Sequence, residues 1–433
     1  MNDSNGPATM SATAAAEAIR ERKLTSRELV SACLQRISER NEVAAWAHLD
    51  PSYALQQAGA ADAAVARGEP LGALHGVPVG VKDIIDTSDF ATENGTPAFA
   101  GRRPQTDAAV VTALRAAGAV ILGKTVTTEL AFFGPGKTRN PHDPERTPGG
   151  SSSGSAAAVA DAQVPLALGT QTAGSILRPA SYCGCIGFKP TFGIVPREGV
   201  LAQSAPLDTI GGYARTIGDL ALLIDILSGD TRQPLTKAVA EAGADGKPLR
   251  LAFVRTASWP MGEPTMLAAL SAYAASTGAS EIELPDSFTH GIKDQQAVQF
   301  RDIARNYGPI LDANPDVMSA KLAEVIALGR AVTDAQYDES LARREPLYEE
   351  FCAIFRGFDV VLTPAAPGIA PVELGATGSP AFNALWTYLG VPAISLPLLA
   401  VDSLPLGVQV VALRNGDAGL LTAAAKLMQA AAK

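Results

Sequence analysis

Two residue types on which many active sites depend are scarce in this sequence. Its 433 residues include 4 cysteines and 4 histidines. The cysteines, Cys33, Cys183, Cys185 and Cys352, are too few and too irregularly spaced for a disulfide framework. No second Cys or His pair completes a zinc site around Cys183 and Cys185. The sequence therefore predicts four reduced, buried thiols and no metal site.

Positive charge is scarce as well. Lys and Arg total 35 against 44 Asp and Glu, which gives a net charge of −9. Because phosphate binding depends on clustered positive charge, the composition argues against a nucleic-acid surface. No apolar run approaches the roughly 18 to 20 residues of a membrane span, and the polar residues 1–10 lack the pattern of a signal peptide. We expect a cytoplasmic protein with a small-molecule partner and no membrane or nucleic-acid partner.

The apolar content is high enough for a folded core, with 47% hydrophobic and 18% charged residues. Residues 11–67 have the spacing of amphipathic helices, with Thr25 and Ser26 at a helix start. Two short apolar runs, at 76–82 and 119–123, enclose a segment of helical spacing at 107–114. This order predicts a strand, a helix and a strand of one buried sheet.

Beyond residue 230 the patterns weaken, but no repeat and no linker separates the two halves. Residues 290–350 are charged and helical, and residues 358–413 return to strands and turns. The sequence predicts one α/β domain over residues 1–433, with a mixed, mostly parallel central sheet flanked by helices. Its parts are N-terminal helices at 11–67, a core at 71–230 and a remainder at 231–433 that completes the same domain.

Three residues indicate chemistry: Lys82 after a strand, Ser151 in a Gly-Ser loop and Ser175 in a Gly-rich turn. Taken singly, such a lysine is usually a surface residue and such serines usually belong to turns. The stretch 134–155 also has the composition of a flexible linker, but an Ala-rich helical segment follows it directly, which favours a site. Together the three residues indicate a hydrolase in which a buried, neutral lysine activates a serine.

Six motifs extend this interpretation over most of the chain. They are GVPVGVKD at 76–83, GGSSSGSAAAVA at 149–160, GTQTAGS at 169–175, GFKPT at 187–191, GVPA at 390–393 and LPLGVQ at 404–409. In this order they closely resemble the amidase signature family. The resemblance implies an α/β fold and a triad of two serines and a lysine.

By this resemblance Ser175 is the nucleophile and Lys82 is the base. Ser151 follows a cis peptide bond after Gly150 and relays the proton between them. The family also implies an oxyanion hole made by backbone N–H groups and two supporting serines. The oxyanion hole is assigned to Thr172, Ala173, Gly174 and Ser175, and the supporting residues are Gly150, Ser152 and Ser155.

Two departures from the commonest family pattern concern the substrate. Gln171 replaces the usual Asp, and Leu177 stands where an arginine is usual, with Arg178 next to it. This combination is similar to the malonamidase-like branch, in which an arginine binds a substrate carboxylate. Arg178, with Thr170 and Gln171, is therefore predicted to bind substrate. The alternative is that Arg178 pairs with an acid or caps backbone carbonyls.

The resemblance implies an amidohydrolase that cleaves a small carboxamide to a carboxylate and ammonia through a seryl acyl-enzyme. It implies no cofactor or metal and favours a homodimer. The substrate would be a malonamate-like or other amide that bears a carboxylate or carbonyl. The aromatic residues that either wall the pocket or belong to the ordinary core are Phe132, Phe133, Tyr182 and Trp386.

Three alternatives remain beside this prediction. One is an amidotransferase-type subunit that releases ammonia within a complex, against which the residues at 171 and 177 argue. Another is a general aliphatic or aryl amidase. The third is a non-catalytic scaffold, against which the intact Lys82, Ser151 and Ser175 argue.

Overall fold

The strands of this protein form one continuous sheet. The computed structural model describes residues 6–132, 134–230, 234–242 and 247–431. The eleven strands of the sheet follow the order β1-β3-β2-β4-β6-β5-β10-β11-β9-β7-β8. They are β1 Trp46–Leu49, β2 Pro78–Lys82, β3 Val120–Thr125, β4 Leu166–Gln171, β5 Ile186–Lys189, β6 Thr209–Ala214, β7 Leu251–Val254, β8 Ser280–Ile282, β9 Val360–Pro364, β10 Ala393–Val401 and β11 Leu404–Val411.

Helices flank this sheet, and the longest, α10, has 27 residues. In chain order they are α1 Ala12–Arg20, α2 Ser26–Glu39, α3 Pro51–Arg67, α4 Ala109–Ala116, α5 Ser153–Ala160, α6 Leu177–Cys183, α7 Ile217–Ser228, α8 Leu235–Ala240, α9 Pro264–Ser276, α10 Ser287–Ala313, α11 Ala320–Ala331, α12 Asp334–Ala342, α13 Arg344–Phe355, α14 Ala384–Tyr388 and α15 Asp417–Ala431.

The N-terminal region is mainly helical, as its spacing predicts. Helix α2 begins after Thr25, whose side chain accepts from the Glu28 N–H while the Glu28 carboxylate accepts from the Thr25 N–H. This reciprocal pair satisfies two N–H groups that the helix leaves without partners. The expectation of helices alone is wrong in one place, because the four-residue strand β1 lies between α2 and α3 and pairs with β3.

The predicted strand, helix and strand are confirmed as β2, α4 and β3. Strand β2 is parallel to β3 on one side and to β4 on the other. All five of its residues are buried. A strand covered on both faces needs apolar residues at successive positions, which explains the continuous apolar run in the sequence. The central position of β2 places Lys82 in the interior.

The sheet is mixed, but the expectation that it is mostly parallel is wrong. Of the ten neighbouring pairs among the described strands, six are antiparallel and four are parallel. An apolar run predicts burial but not the direction of the neighbouring strand. Strand β5 pairs with β10, so the core at 71–230 and the remainder of the chain share one sheet.

The four cysteines are free thiols, as expected, but their burial differs. Cys33, Cys183 and Cys185 are buried, whereas Cys352 is only half-buried, which corrects the prediction for that residue. In the described ranges no helix is both long and apolar enough to cross a membrane. Within the same ranges no group of three or more His, Cys, Asp or Glu side chains is arranged to hold a metal ion.

Candidate active site

Lys82 is the last residue of β2 and points at two hydroxyl groups. Its Nζ lies 2.7 Å from the Ser151 Oγ and 2.7 Å from the Thr170 Oγ1. The side chain is fully buried. Burial lowers the pKa of Lys82 well below its usual value, and the Asp208 carboxylate opposes this shift. A neutral amine at this position can accept a proton, which an ammonium group cannot.

The loop before α5 carries Ser151 to this lysine. The peptide bond between Gly150 and Ser151 is cis. The Ser152 Oγ lies 3.2 Å from both the N and the O of Thr170, which ties the loop to β4. The Ser152 N–H donates to the Ser175 carbonyl at 3.4 Å. These bonds bring the loop of Ser151 against the turn of Ser175.

Helix α5 follows this loop and packs unusually close to the sheet. Its residues are small, and a Cβ added at Gly154 would lie 2.2 Å from the Ala45 carbonyl oxygen and 2.4 Å from the Val126 N. Only glycine fits such an approach of backbone to backbone. The Ser155 Oγ donates to the Leu168 carbonyl at 2.7 Å. The Gly-Ser stretch therefore has a structural reason to be rich in small residues.

Ser175 lies in the turn between β4 and α6. It is half-buried, while Lys82 and Ser151 are buried. Its carbonyl accepts from the Tyr213 hydroxyl at 3.1 Å. Across the described ranges no group pairs with the Ser175 hydroxyl. Ser175 is therefore held by its backbone while its hydroxyl stays available to a substrate.

The backbone carbonyls of the same turn accept hydrogen bonds from residues that lie outside the turn. Three consecutive carbonyls accept hydrogen bonds: Thr172 from the Gln295 Nε2 at 3.2 Å, Ala173 from the Thr387 Oγ1 at 2.7 Å and Gly174 from the Arg178 N at 3.1 Å. Among the described residues, the N–H groups of Ala173, Gly174 and Ser175 have no partner. Because the C=O and N–H of one peptide unit point in opposite directions, each of these N–H groups points away from the group that binds its carbonyl.

Gly174 also has to be small. A Cβ at this position would lie 2.5 Å from the Asn383 Oδ1 and 2.9 Å from the Arg178 Nη1. The turn therefore packs directly against α6 and against the residue that precedes α14. Its position depends on both halves of the chain.

Arg178 is buried in the first turn of α6. Its Nε donates to the Thr377 carbonyl at 2.7 Å and its Nη2 to the Gly150 carbonyl at 2.6 Å, so it caps backbone carbonyls. Burial lowers the pKa of Arg178 to about 10, which leaves it charged at neutral pH. Among the described residues no acid pairs with it, and its Nη1 has no hydrogen-bond partner. The site therefore contains an uncompensated positive charge.

Thr170 and Gln171 lie at the end of β4. The Thr170 Oγ1 accepts from Lys82, whereas Gln171 is fully buried with both ends of its amide bonded within the protein. Phe132, Tyr182 and Trp386 are buried, and Phe133 lies outside the described residues. The assignments of these residues to the substrate or the pocket wall stay predictions.

A cavity of about 450 Å³ opens beside Thr170 and Thr172. Its wall is mostly apolar, with Arg197 and Asp208 among its polar residues. The Asp208 carboxylate accepts from the Thr172 hydroxyl at 2.6 Å, and burial raises the pKa of Asp208 to about 6. A volume of this size is within the range of small-molecule sites.

Sequence reasoning missed the residues that hold the site from a distance. They are Asp208, Tyr213, Gln295, Thr377, Asn383 and Thr387. None of them was singled out as a candidate site residue. Their partners lie far away along the chain, up to 216 positions for Thr387 and Gln171. A single sequence carries no local signal for contacts of this kind.

Comparisons with known proteins give one consistent result. The sequence profile of the family described as Amidase matches residues 28–421. The A subunit of the glutamyl-tRNA(Gln) amidotransferase of Chloroflexus aggregans (strain MD-66 / DSM 9485) is 33% identical to this chain. The alignment covers 95% of this chain and 94% of that protein.

Solved structures agree with the sequence matches. A chain from a structure described as a vestigial protein complex that reveals the evolutionary origins of an s-triazine catabolic enzyme superposes with a TM-score of 0.89 at 28% identity over 97% of this chain and 98% of its own. A protein described as an amidase superposes with a TM-score of 0.87 at 30% identity over 97% of this chain and 99% of its own. Both share the single-domain α/β architecture with its large mixed sheet.

Proposed function

The chain belongs to the amidase signature family, and from this premise we propose that it hydrolyses a small carboxamide to a carboxylate and ammonia. The observation that carries the proposal is the fully buried Lys82 amine at 2.7 Å from the Ser151 hydroxyl. A lysine with a lowered pKa beside a hydroxyl is the arrangement that proton abstraction requires. The free hydroxyl of Ser175 and the unpaired N–H groups of its turn support the same reaction.

In this proposal Lys82 accepts the Ser151 proton while Ser151 accepts the proton of Ser175. The Ser175 Oγ attacks the amide carbon, and the turn N–H groups bind the oxygen that becomes negative. The C–N bond then breaks as the proton returns through Ser151 to the nitrogen, which releases ammonia. Water attacks the ester by the same route and restores Ser175.

The proposed substrate carries a carboxylate or a carbonyl near its amide group. Arg178 supports this part, because its buried charge has no acidic partner among the described residues and its Nη1 is unpaired. A buried charge without a partner is costly, and a substrate anion would offset that cost. Replacing Arg178 by Lys would keep the charge but lose the planar donor set.

A second candidate function is the release of ammonia as one component of an amidotransferase complex. The observation in its favour is the 33% identity with the amidotransferase protein from Chloroflexus aggregans over 95% of this chain. Gln171 and Leu177 favour the free amidase, because the commonest family pattern has Asp and Arg at these positions. The two candidates share the same chemistry at Ser175 and differ in substrate and in the need for a partner.

The test is ammonia release by the purified chain alone from malonamate, glutamine, and neutral aliphatic and aryl amides. We expect turnover of malonamate or a related acidic amide, and a fluorophosphonate should label Ser175 and stop it. The Ser175→Ala variant should be inactive, and the exposed Ser276→Ala should serve as the matched control.

Three results would contradict the proposal in different ways. An adduct on another residue would reject the mechanism. Glutamine turnover only after addition of a partner would favour the amidotransferase function. A preference for neutral amides would reject the proposed acidic substrate and favour a general aliphatic or aryl amidase. The mass of the active species in solution, measured by analytical ultracentrifugation, tests the expected homodimer.

A further inference from the structure

The amide group of Gln171 has only one orientation that satisfies its neighbours. One end of the amide faces the N–H groups of Ile176 and Leu177, at 2.8 and 3.1 Å. Both of these groups are donors, so this end must be the Oε1 acceptor. The Nε2 end therefore faces the Thr387 Oγ1, at 2.9 Å, and donates to it.

This orientation determines what the Thr387 hydroxyl does with its single proton. Since the hydroxyl oxygen accepts from Gln171, its proton is free for a carbonyl. The Ala173 carbonyl lies at 2.7 Å, and the Asn383 carbonyl, one turn earlier in the same segment, lies at 3.2 Å. The shorter contact is the bond to Ala173, and Thr387 is fully buried with no access to water.

The bond to Ala173 sets the direction of the next N–H group. The Ala173 carbonyl and the Gly174 N–H belong to one planar peptide unit and point in opposite directions. A carbonyl held toward α14 therefore aims the Gly174 N–H to the other side, where the turn presents its unpaired donors. Preorganised donors of this kind stabilise a developing oxyanion because they need no reorganisation during the reaction.

An acid at position 171 would reverse this arrangement. A carboxylate has no donor, so the Thr387 proton would turn toward it and away from Ala173. The commonest family pattern has Asp at this position, so the Gln171 amide distinguishes this chain from that pattern. Both ends of that amide form hydrogen bonds inside the protein, where Gln171 is fully buried.

We propose that Gln171 and Thr387 are positioning residues of the oxyanion hole: the Gln171 amide directs the Thr387 hydroxyl to the Ala173 carbonyl, which fixes the Gly174 N–H. The inference rests on the proposed function, because the hole matters only if acyl transfer occurs at Ser175.

The test measures how fast a fluorophosphonate labels Ser175, since its attack also places negative charge on an oxygen. Thr387→Val should lower the second-order labelling rate roughly tenfold, the scale of one lost hydrogen bond. It should lower kcat for an accepted amide by a similar factor with little change in KM. Thr387→Ser, which keeps the hydroxyl, should restore most of the rate.

Gln171→Glu tests the direction of the bond. It should reduce labelling by a similar factor, and the Gln171→Glu/Thr387→Val double variant should be no slower than the slower single variant, because both remove the same contact. The matched control is Thr363→Val, since the buried Thr363 hydroxyl has no partner within the described ranges. This control should label at the wild-type rate.

Several outcomes would overturn the inference. One is a wild-type labelling rate in Thr387→Val. Another is a loss of labelling rate in the double variant that equals the product of the losses in the two single variants. The third is a Thr387→Ser variant that is labelled as slowly as Thr387→Val. If Thr387→Val does not fold, Gln171→Glu and Thr387→Ser decide the question alone. Wild-type protein that is not labelled at Ser175 would instead reject the proposed function, so the two failures are distinguishable.

Discussion

Two lysines lie near the ends of neighbouring parallel strands, and their surroundings differ in one respect. Lys82 in β2 and Lys124 in β3 are both fully buried. Lys82 contacts two hydroxyls and forms no ion pair within the described ranges. Lys124 lies 3.5 Å from the Asp83 carboxylate and donates to the Ile85 carbonyl at 2.8 Å.

The difference concerns how far the surroundings of a buried lysine lower its pKa. Burial lowers the pKa of Lys82 well below its usual value and that of Lys124 to about 8, where the attraction of Asp83 opposes the shift. A neighbouring carboxylate stabilises the ammonium form, whereas hydroxyls can bond to either form. The difference supports the proposed proton transfer at Lys82 and favours a structural role for Lys124.

The largest expected effect is on the reaction rate. Lys82→Met should reduce kcat/KM for ammonia release by a factor on the order of 10² to 10⁴, because it removes the proton acceptor. Lys124→Met should reduce it less than tenfold per folded molecule. Similar losses of kcat/KM in the two variants would contradict the different roles of Lys82 and Lys124.

The next largest effect is on the free energy of unfolding, and here Lys124→Met should have a larger effect than Lys82→Met. Lys124→Met should lower the free energy of unfolding by about 3 to 5 kcal/mol, because it leaves the buried Asp83 carboxylate without its partner. Lys82→Met breaks no ion pair within the described ranges and should change stability much less. Urea denaturation measures both, and a second substitution, Asp83→Asn, should recover part of the loss in Lys124→Met.

The pH profile sharpens the comparison further. Protonated Lys82 cannot accept a proton, so kcat/KM should fall as the pH drops below the lowered pKa and level off above it. One pH unit below that pKa the rate should be about tenfold lower. The same limb should persist in Lys124→Met. If the pH dependence disappeared in Lys124→Met, the titrating group would be Lys124 and not Lys82.

The smallest effect concerns the hydroxyl neighbours. Thr170→Val removes one acceptor of Lys82 and should lower kcat/KM roughly 2- to 13-fold, the range for one hydrogen bond. Thr92→Val removes a hydroxyl that accepts from Lys124 at 2.5 Å and should leave kcat/KM unchanged while lowering stability by about 1 kcal/mol. Steady-state kinetics and urea denaturation of both variants check this.

Local patterns predicted the elements whose cause is local. The helix start at Thr25 and Ser26 and the apolar run that forms β2 can each be predicted from a few consecutive residues. The relative direction of neighbouring strands could not be predicted in this way, because the sequences of β4 and β6 do not indicate whether the two strands run parallel or antiparallel. Strand β1 was missed because four residues carry too little pattern among three helices.

The candidate site divides in the same way. Lys82, Ser151 and Ser175 stand in short motifs, and the fold brings their segments together. The bonds that hold the Ser175 turn come from Gln295 and Thr387, which no motif marks. Their identity follows from the packing of α10 and α14 against the turn, and packing is decided by the whole chain.

The distance along the chain between this turn and its supports also affects protein synthesis. Thr387 follows Ala173 by 214 positions. At 5–20 residues per second, the ribosome needs about 10 to 40 s to add that stretch. During this time the nascent chain already carries its lysine and both serines but lacks the contact that fixes the Ala173 peptide. We therefore expect a growing or prematurely terminated chain to hydrolyse amides poorly, so that activity begins only when translation is nearly complete.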